Sequence, residues 1–371
     1  MEPKINNILS EDNRLSFTLS NVDLSVVNAF RRTLLSDIPV VVFRTFPYED
    51  NLANIEINTS RLNNEIIKQR LSCVPIYIND LQFPVNDYQI EIDVKNNSEE
   101  IIYVTTKDIK VKNKTNEKYV LEADKLKMFP PDSITGDFID LVRLRPKNTS
   151  DGEGEHIKLT CGFSIGTSGE NSMFNVVTTC SFGNTPDKIK LSDLWNEREK
   201  DLNETDSKLI KKLKLDFDVI EGQRNYINNS YDFVIETNNI YTNSELIILS
   251  ASIINKKLDN ILASLVSDKN IITPVTDTMP NCFEILLENQ DYTIGKLIEN
   301  QLYKLYFENA KDKALNYVSF IKNHPHDDHS FIKLSMINID DPRVVSKYII
   351  DRKSTRLNSS HRCISYAVFC L

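Results

Sequence analysis

Residues 21–39, NVDLSVVNAFRRTLLSDIP, constrain the chain more than any other stretch, because they read as one amphipathic helix with a definite start and stop. Asp23 supplies an N-cap, and Pro39 ends the element. Advancing each residue by about 100° gathers Val26, Val27, Phe30, Thr33 and Leu34 in one arc, which predicts a face turned to a core. Ser25, Asn28, Arg32 and Ser36 collect on the opposite side, and Arg31 sits at the border between Leu24 and Leu35. Two adjacent arginines in mid-helix ordinarily mark a solvated face, and pattern alone assigns them no more than that.

With 371 residues, 40% hydrophobic and 26% charged, the chain has the means to bury more than one core, which predicts two or three domains. A formal net charge of -9 disfavours a surface built to grip nucleic-acid phosphates. No apolar run reaches the roughly 20 residues of a membrane span. Residues 1–12, MEPKINNILSED, lack the apolar stretch of a signal peptide, so an intracellular protein with no membrane partner is expected. The 6 cysteines are scattered without a C-x-x-C pair, which predicts neither a disulfide framework nor a zinc site.

Along the chain, RLSFTLS at 14–20 and VVVFRTF at 40–46 predict strands on either side of the helix. Residues 47–206 hold short strand-like runs (IYI at 76, YQIEIDV at 88, EIIYVTT at 100, HIKLTCGFSI at 156, NVVTTCSF at 175) between Asn-, Asp- and Gly-rich loops, so a β-rich insertion is expected there. The charged stretch 196–214 predicts a solvated helix or linker. LDFDVIEG and YDFVIET then read as a strand pair, and SELIILSASIINKKLDNILASL as a helix with Leu246, Ile247, Leu249, Ile253, Ile254 and Leu258 as its apolar set. CFEILLENQDYTIGKLIENQLYKLYF repeats the order of strand, turn and capped helix, the helix over 293–306, and SFIKNHPHDDHSFIKLSM supplies a hairpin. A last helix starts in VVSKYIIDRK, but RKSTRLNSSHRCISYAVFCL has no helical period and reads as translated adapter sequence.

The first helix resembles that of the RNA polymerase alpha-type assembly subunits: the bacterial alpha N-terminal domain, the third subunit of eukaryotic RNA polymerase II and its archaeal counterpart. Asn28, Arg31, Arg32, Leu34, Leu35, Ser36 and Pro39 carry the resemblance. Thr59, Glu65, Arg70, Leu71 and Pro75 extend it to the turn and helix in front of the insertion, and Arg145, Pro146, Gly166 and Val177 to its later hairpin. Asp291, Thr293, Ile294, Gly295, Leu297, Ile298 and Leu302, with His324 and Pro325 at the hairpin turn, resemble the eleventh subunit of the eukaryotic enzyme or its archaeal counterpart. Two halves that are ordinarily separate chains are thus joined, as in polymerase subunits of large DNA viruses. The resemblance implies an α+β fold in which two alpha-like dimerisation modules form an intramolecular pseudo-dimer, with a β-rich insertion in the first. Its expected boundaries are 1–46 and 207–268 for the first module, 47–206 for the insertion, 269–280 for a linker, 281–350 for the second module and 351–371 for a non-native tail.

The same resemblance implies a scaffold in which Asn28, Arg31, Arg32 and Ser36 meet other subunits, and Phe30 and Leu34 meet Ile298 and Leu302 in the core of the pseudo-dimer. The implied partners are the largest and second-largest polymerase subunits and other small subunits, with nucleic acid reached only through the complex. The implied location is intracellular and, for a viral subunit, the virion and the cytoplasmic replication site. Two departures stand out. Residues 77–93 contain no Cys where the third-subunit family often holds zinc or an iron-sulfur module, so no metal or other cofactor is expected; and Glu299 and Asn300 replace an Arg often seen in the second helix.

Other chemistry is weaker. HPHDDH at 324–329 is rich in metal-ligating types, and an alternative class, a metal-dependent hydrolase built on His324, His326, Asp327 and His329, starts there. It lacks helical i, i+4 presentation and identifiable ligands elsewhere. Asp216 and Asp218, read as one face of a strand, are two carboxylates where a two-metal nucleotidyl transfer site needs more. The glycines at 162, 166 and 169 are not followed by the Lys-Ser/Thr and helix of a phosphate loop. With no Ser-His-Asp or Cys-His arrangement, no catalytic residue is expected. A free acidic adaptor outside any polymerase is the third reading.

Overall fold

The computed structural model describes residues 3–147, 152–201, 207–267, 271–276, 279–309 and 313–337. The chain opens with β1 (Lys4–Glu11) and β2 (Arg14–Ser20), then α1 (Leu24–Ser36) and β3 (Pro39–Val42). There follow β4 (Ala53–Asn58), α2 (Asn64–Ser72), β5 (Tyr88–Lys95), β6 (Ile102–Thr105), β7 (Lys110–Asn113), α3 (Glu122–Met128), β8 (Asp140–Leu144), β9 (His156–Gly162) and β10 (Ser164–Thr167). Next come β11 (Val177–Pro186), α4 (Lys188–Asp201), α5 (Ser207–Ile220), β12 (Tyr226–Thr237) and α6 (Asn243–Ser267). The described part closes with β13 (Ile272–Pro274), β14 (Cys282–Glu288), α7 (Tyr292–Leu302), β15 (Leu315–Ile321) and β16 (His329–Met336). The expected α+β class holds: helices pack on antiparallel sheets in both compact units.

One unit takes in the chain up to Leu34, Thr179–Glu236 and the chain from Asn243. Its first sheet has the order β1-β2-β12-β11. Alternation along β2 and β12 turns Leu15, Phe17 and Leu19 inward opposite Ile235, Phe233 and Tyr231, their antiparallel register partners. Phe17 stacks on Phe233 with centroids 5.2 Å apart, and Phe30 of α1 meets Phe233 edge-on at 5.9 Å. α6 lays Leu246, Ile247, Ile254 and Leu258 inward, while Leu249 and Ile253 are only half-buried. The second sheet, β13-β14-β16-β15, packs α7 on a cluster containing Phe283, Ile285, Phe320, Ile332 and Leu334.

The other unit comprises Leu35–Thr178 and Thr237–Thr242. It holds the sheet β4-β9-β5-β7 and the pairs β10-β3 and β6-β8. Ile90, Ile92, Ile157, Leu159 and Leu144 form its core with Phe43, which lies 5.3 Å from Phe163. Asn96, fully buried, gives its amide to the carbonyls of Leu144 at 2.9 Å and Glu100 at 2.8 Å, so its polar head is satisfied inside that core.

Several expectations change. The unit bounded by Leu35 and Thr178 differs from the expected 47–206 insertion, because β3 pairs with β10 at one end and β11 leaves to join β12 at the other. LDFDVIEG is not a strand: Asp216 and Asp218 lie in α5, where the repeat Ile210, Leu213, Phe217 overrides the local alternation and Phe217 is buried 5.6 Å from Trp195. IYI at 76–78 joins no ladder although Ile76 and Ile78 are buried. The expected linker 269–280 contains β13, held because Ile272 is buried opposite Ile285. The β1 strand is exposed and has no hydrophobic pattern to announce it. The sequence expected to be a last helix and a non-native tail lies outside the described residues.

Gly295 shows how tightly α7 sits on its sheet, since a Cβ there would lie 2.1 Å from Phe320 Cδ2. Alanine ordinarily improves a helix by ~1 kcal/mol over glycine. Here the collision with a buried ring outweighs that, because overpacking costs roughly 1–3 kcal/mol. Gly295→Ala is expected to lower the thermal midpoint, read by circular dichroism; an unchanged or raised midpoint would contradict this packing.

Candidate subunit interface

The helical repeat gives α1 two usable faces. Val26, Val27, Phe30, Thr33 and Leu34 are buried, as is Ala29. A second ridge, Ser25, Ala29 and Arg32 at i, i+4 and i+7, runs along its side. α7 is built likewise: Ile294, Ile298 and Leu302 make one stripe, while Thr293 and Asn300 fall at i and i+7 on another, and Lys304 follows in the π-helical turn Tyr303–Glu308.

These two ridges meet. Arg32 Nε donates to Thr293 Oγ1 at 2.7 Å, and Arg32 Nη2 donates to Asp291 Oδ2 at 2.7 Å. Asn300 Nδ2 donates to Ser25 Oγ at 2.9 Å, and Lys304 Nζ pairs with the Asp23 carboxylate. The partners 23 with 304, 25 with 300 and 32 with 293 run in opposite senses, so α1 and α7 cross antiparallel. Beside this crossing lies an open cleft of about 570 Å³, walled by Leu24, Asn28, Phe182, Lys296 and Tyr303.

Asp291 is the hub. Its Oδ1 accepts from the Thr293 amide at 2.8 Å as the N-cap of α7, while Oδ2 takes Arg32. Partial burial pushes its pKa up, but the Thr293 amide and hydroxyl and the Arg32 guanidinium together outweigh that and hold it below the ordinary aspartate value.

The sequence-predicted residues separate here. Arg32, expected to face another subunit, spends its guanidinium on α7. Arg31 folds its fork onto Asn28 Oδ1 at 3.0 and 3.2 Å on the exposed side of α1. Ser36 donates to Asp37 Oδ1 at 2.9 Å in the Leu35–Thr178 unit. Phe30 packs on Phe233 within its own half, and Ile298 and Leu302 line a small apolar cavity with Leu258 and Leu262 of α6. The apolar stripe of α7 therefore meets α6, and its polar ridge meets α1. Asp23, expected only as a cap, does accept the Val26 and Val27 amides through its carbonyl, but its carboxylate belongs to Lys304. Asn300, a departure from the family pattern, is the residue that reaches Ser25. The signal for the ridge on α7 is Thr293 followed at helical spacing.

The His324 amide donates to Asp327 Oδ2 at 3.0 Å and the His326 amide to His324 Nδ1 at 3.1 Å, so the 324–329 cluster closes a turn on itself. Among the described residues no group of three or more His, Cys, Asp or Glu is placed to hold a metal. Burial pushes the Cys161 and Cys180 thiols up to about 12, far from the thiolate range of a nucleophile. No helix among the described residues is long and apolar enough to cross a membrane.

Residues 16–258 match the RNA polymerase Rpb3/Rpb11 dimerisation domain, and the chain belongs to that family. It is 28% identical over 188 residues to DNA-directed RNA polymerase subunit Rpo3 of Methanosphaera stadtmanae, covering 50% of this chain and 63% of that one. To DNA-directed RNA polymerases I and III subunit RPAC1 of Saccharomyces cerevisiae it is 28% identical over 201 residues, 47% of this chain and 55% of that one. A shorter stretch of 66 residues is 38% identical to DNA-directed RNA polymerases IV and V subunit 3B of Arabidopsis thaliana, 18% of each chain. The chain thus spans less than two thirds of each of these curated relatives, and β14 to β16 lie beyond the matched residues.

Because the Asp291 carboxylate is depressed in the folded state, its contribution is present above the ordinary aspartate pKa of about 3.9 and is lost as pH falls through the lower folded value. Asp291→Asn is expected to flatten that acid limb, read as the pH dependence of urea unfolding below pH ~4. Arg32→Ala is expected to cost about 1 kcal/mol at neutral pH, the scale of a half-exposed ion pair; an acid limb unchanged by either substitution would remove Asp291 from its place as hub.

Proposed function

We propose that this chain is a non-catalytic assembly subunit of a multisubunit DNA-directed RNA polymerase that carries both members of the dimerising pair, of the kind found in large DNA viruses. The antiparallel crossing of α1 and α7, fixed by Arg32 on Asp291 and Thr293, carries the proposal. It joins the part that matches the family to the strand, helix and hairpin of 282–336, which lie in the same compact unit. Covalent joining raises the effective concentration of one helix for the other to roughly millimolar, so pairing within the chain should outcompete pairing between copies. The relatives are named as polymerase subunits, which supports a role inside that complex.

Docking of the two largest subunits then falls to what the crossing leaves outside: Asn28 and Arg31 on α1 and the adjoining cleft with Leu24, Phe182 and Tyr303. An arginine suits such a contact because its planar fork holds a carboxylate or carbonyls in a fixed geometry. Its present acceptor, Asn28, keeps that fork pre-organised on the surface.

Co-expression with the two largest polymerase subunits tests this. Arg31→Ala is expected to leave folding stability within ~0.5 kcal/mol, as for a surface substitution, yet weaken capture by about 2 kcal/mol, roughly thirtyfold, as for a central interface arginine. Light scattering of the chain alone is expected to give a monomer. Normal assembly of the variant, or a stable homodimer in dilute solution, would overturn the proposal.

A further inference from the structure

The cleft beside the α1–α7 crossing runs between two helical ridges. Leu24 and Asn28 of α1 form one wall, and Arg31 continues their ridge at i+7. Lys296, Asn300 and Tyr303 form the other wall at i, i+4 and i+7, Tyr303 opening the π-helical turn. Phe182 of β11 completes the lining, its ring 5.7 Å from Tyr231 and 5.4 Å from Phe233.

The antiparallel sense gives this cleft two unlike ends. Position 23 stands opposite 304 and 25 opposite 300, so Leu24 and Tyr303, 55% and 42% exposed, share one end. Towards the contact of 32 with 293, Asn28 comes level with Lys296, and there Arg31 bends its fork back onto Asn28 Oδ1. Charge is spread as unevenly. Lys304 is neutralised by Asp23 and Arg32 by Asp291, while Lys296 Nζ lies 2.5 Å from Glu299 Oε2. Arg31 differs from these three cations: among the described residues no carboxylate forms an ion pair with it, and its guanidinium donates to the neutral Asn28 oxygen.

We infer that the cleft receives a segment of a large polymerase subunit carrying one large apolar side chain and, about one helical turn away, a carboxylate. This rests on the docking role proposed above and gives that role its chemistry. The apolar side chain fills the end between Leu24, Phe182 and Tyr303, taking their exposed surface out of water. The carboxylate takes the Arg31 fork in place of Asn28, exchanging a neutral acceptor for a charged one and hence for stronger, bidentate bonds. Leu24 and Asn28 are one turn apart, ~6 Å along the helix, and that interval sets the spacing of the two groups on the partner. A basic segment does not fit, because every carboxylate at the cleft already holds a lysine and a further cation would stand beside Arg31.

The test measures capture of the two largest subunits, purified and treated with nuclease, by the full chain at low and high salt. Arg31→Gln keeps hydrogen-bond donors but removes the charge, so capture is expected to fall about thirtyfold at low ionic strength and only about threefold at ~1 M salt. Arg31→Glu should fall further than Arg31→Gln at low salt, since it sets like charges together. Leu24→Ser and, separately, Tyr303→Ser should each weaken capture about tenfold at either salt, with circular dichroism reporting that the helices persist. A wild-type chain that captures neither subunit would overturn the docking role and this inference together. The inference alone is overturned by three results obtained while the wild-type chain captures normally: Arg31→Gln matching wild type, a loss for Arg31→Gln that salt leaves unchanged, or both serine variants matching wild type. Arg31→Ala keeps the docking role separately testable, because its loss is expected whatever the charge of the acceptor.

Discussion

A single guanidinium ties α1 to the start of α7. Arg32 reaches from α1 to the first turn of α7, where Asp291 already caps the helix with its other oxygen. One carboxylate thus finishes a helix and receives a cation from another, and neither task competes because each uses its own oxygen. Since Thr293 takes the second arm of the fork, the arginine is oriented as well as attracted, and a lysine in its place would keep the charge but lose the orientation. Ser25 with Asn300 and Asp23 with Lys304 extend the same polar seam.

The division of labour on α7 follows from that seam. Its apolar stripe is free to face its sheet and α6 because polar side chains manage the crossing with α1. Gly295 lets the helix settle on Phe320, which brings Asp291 and Thr293 to the height at which Arg32 meets them. The polar seam sets which residues of α1 and α7 meet and in which sense, while the apolar stripe of α7 packs on α6 and the sheet.

Much of this is legible in the residues. The faces of α1, the strands at 14–20 and 231–237, the long α6 and the strand–helix order of the second half all follow from periodicities that are strong over a full element. Asp216 and Asp218 mislead because the short alternation around Phe217 suits a strand, and the longer helical repeat of Ile210, Leu213 and Phe217 prevails with Phe217 buried against Trp195. The linker strand β13 is hidden for a related reason: three residues have no periodicity to read, and Ile272 becomes informative only opposite Ile285. At the interface, the polar side of Arg32 can be read from one helix but its acceptors cannot, since which polar ridge meets which is a property of two elements and not of one. The boundary of the 35–178 unit escapes the sequence because NVVTTCSF reads alike as a strand of the insertion or of the first sheet.

The compact unit from Leu35 to Thr178 is nearly continuous in sequence, whereas the unit that contains α1 is assembled from three separated stretches. On a ribosome this sets an order. All of that unit except Thr237–Thr242 has been made while the Arg32 ridge still awaits acceptors 259 and 261 residues downstream. The contacts that close α1 on α7 therefore wait until Asp291 and Thr293 have been made, long after α1 itself.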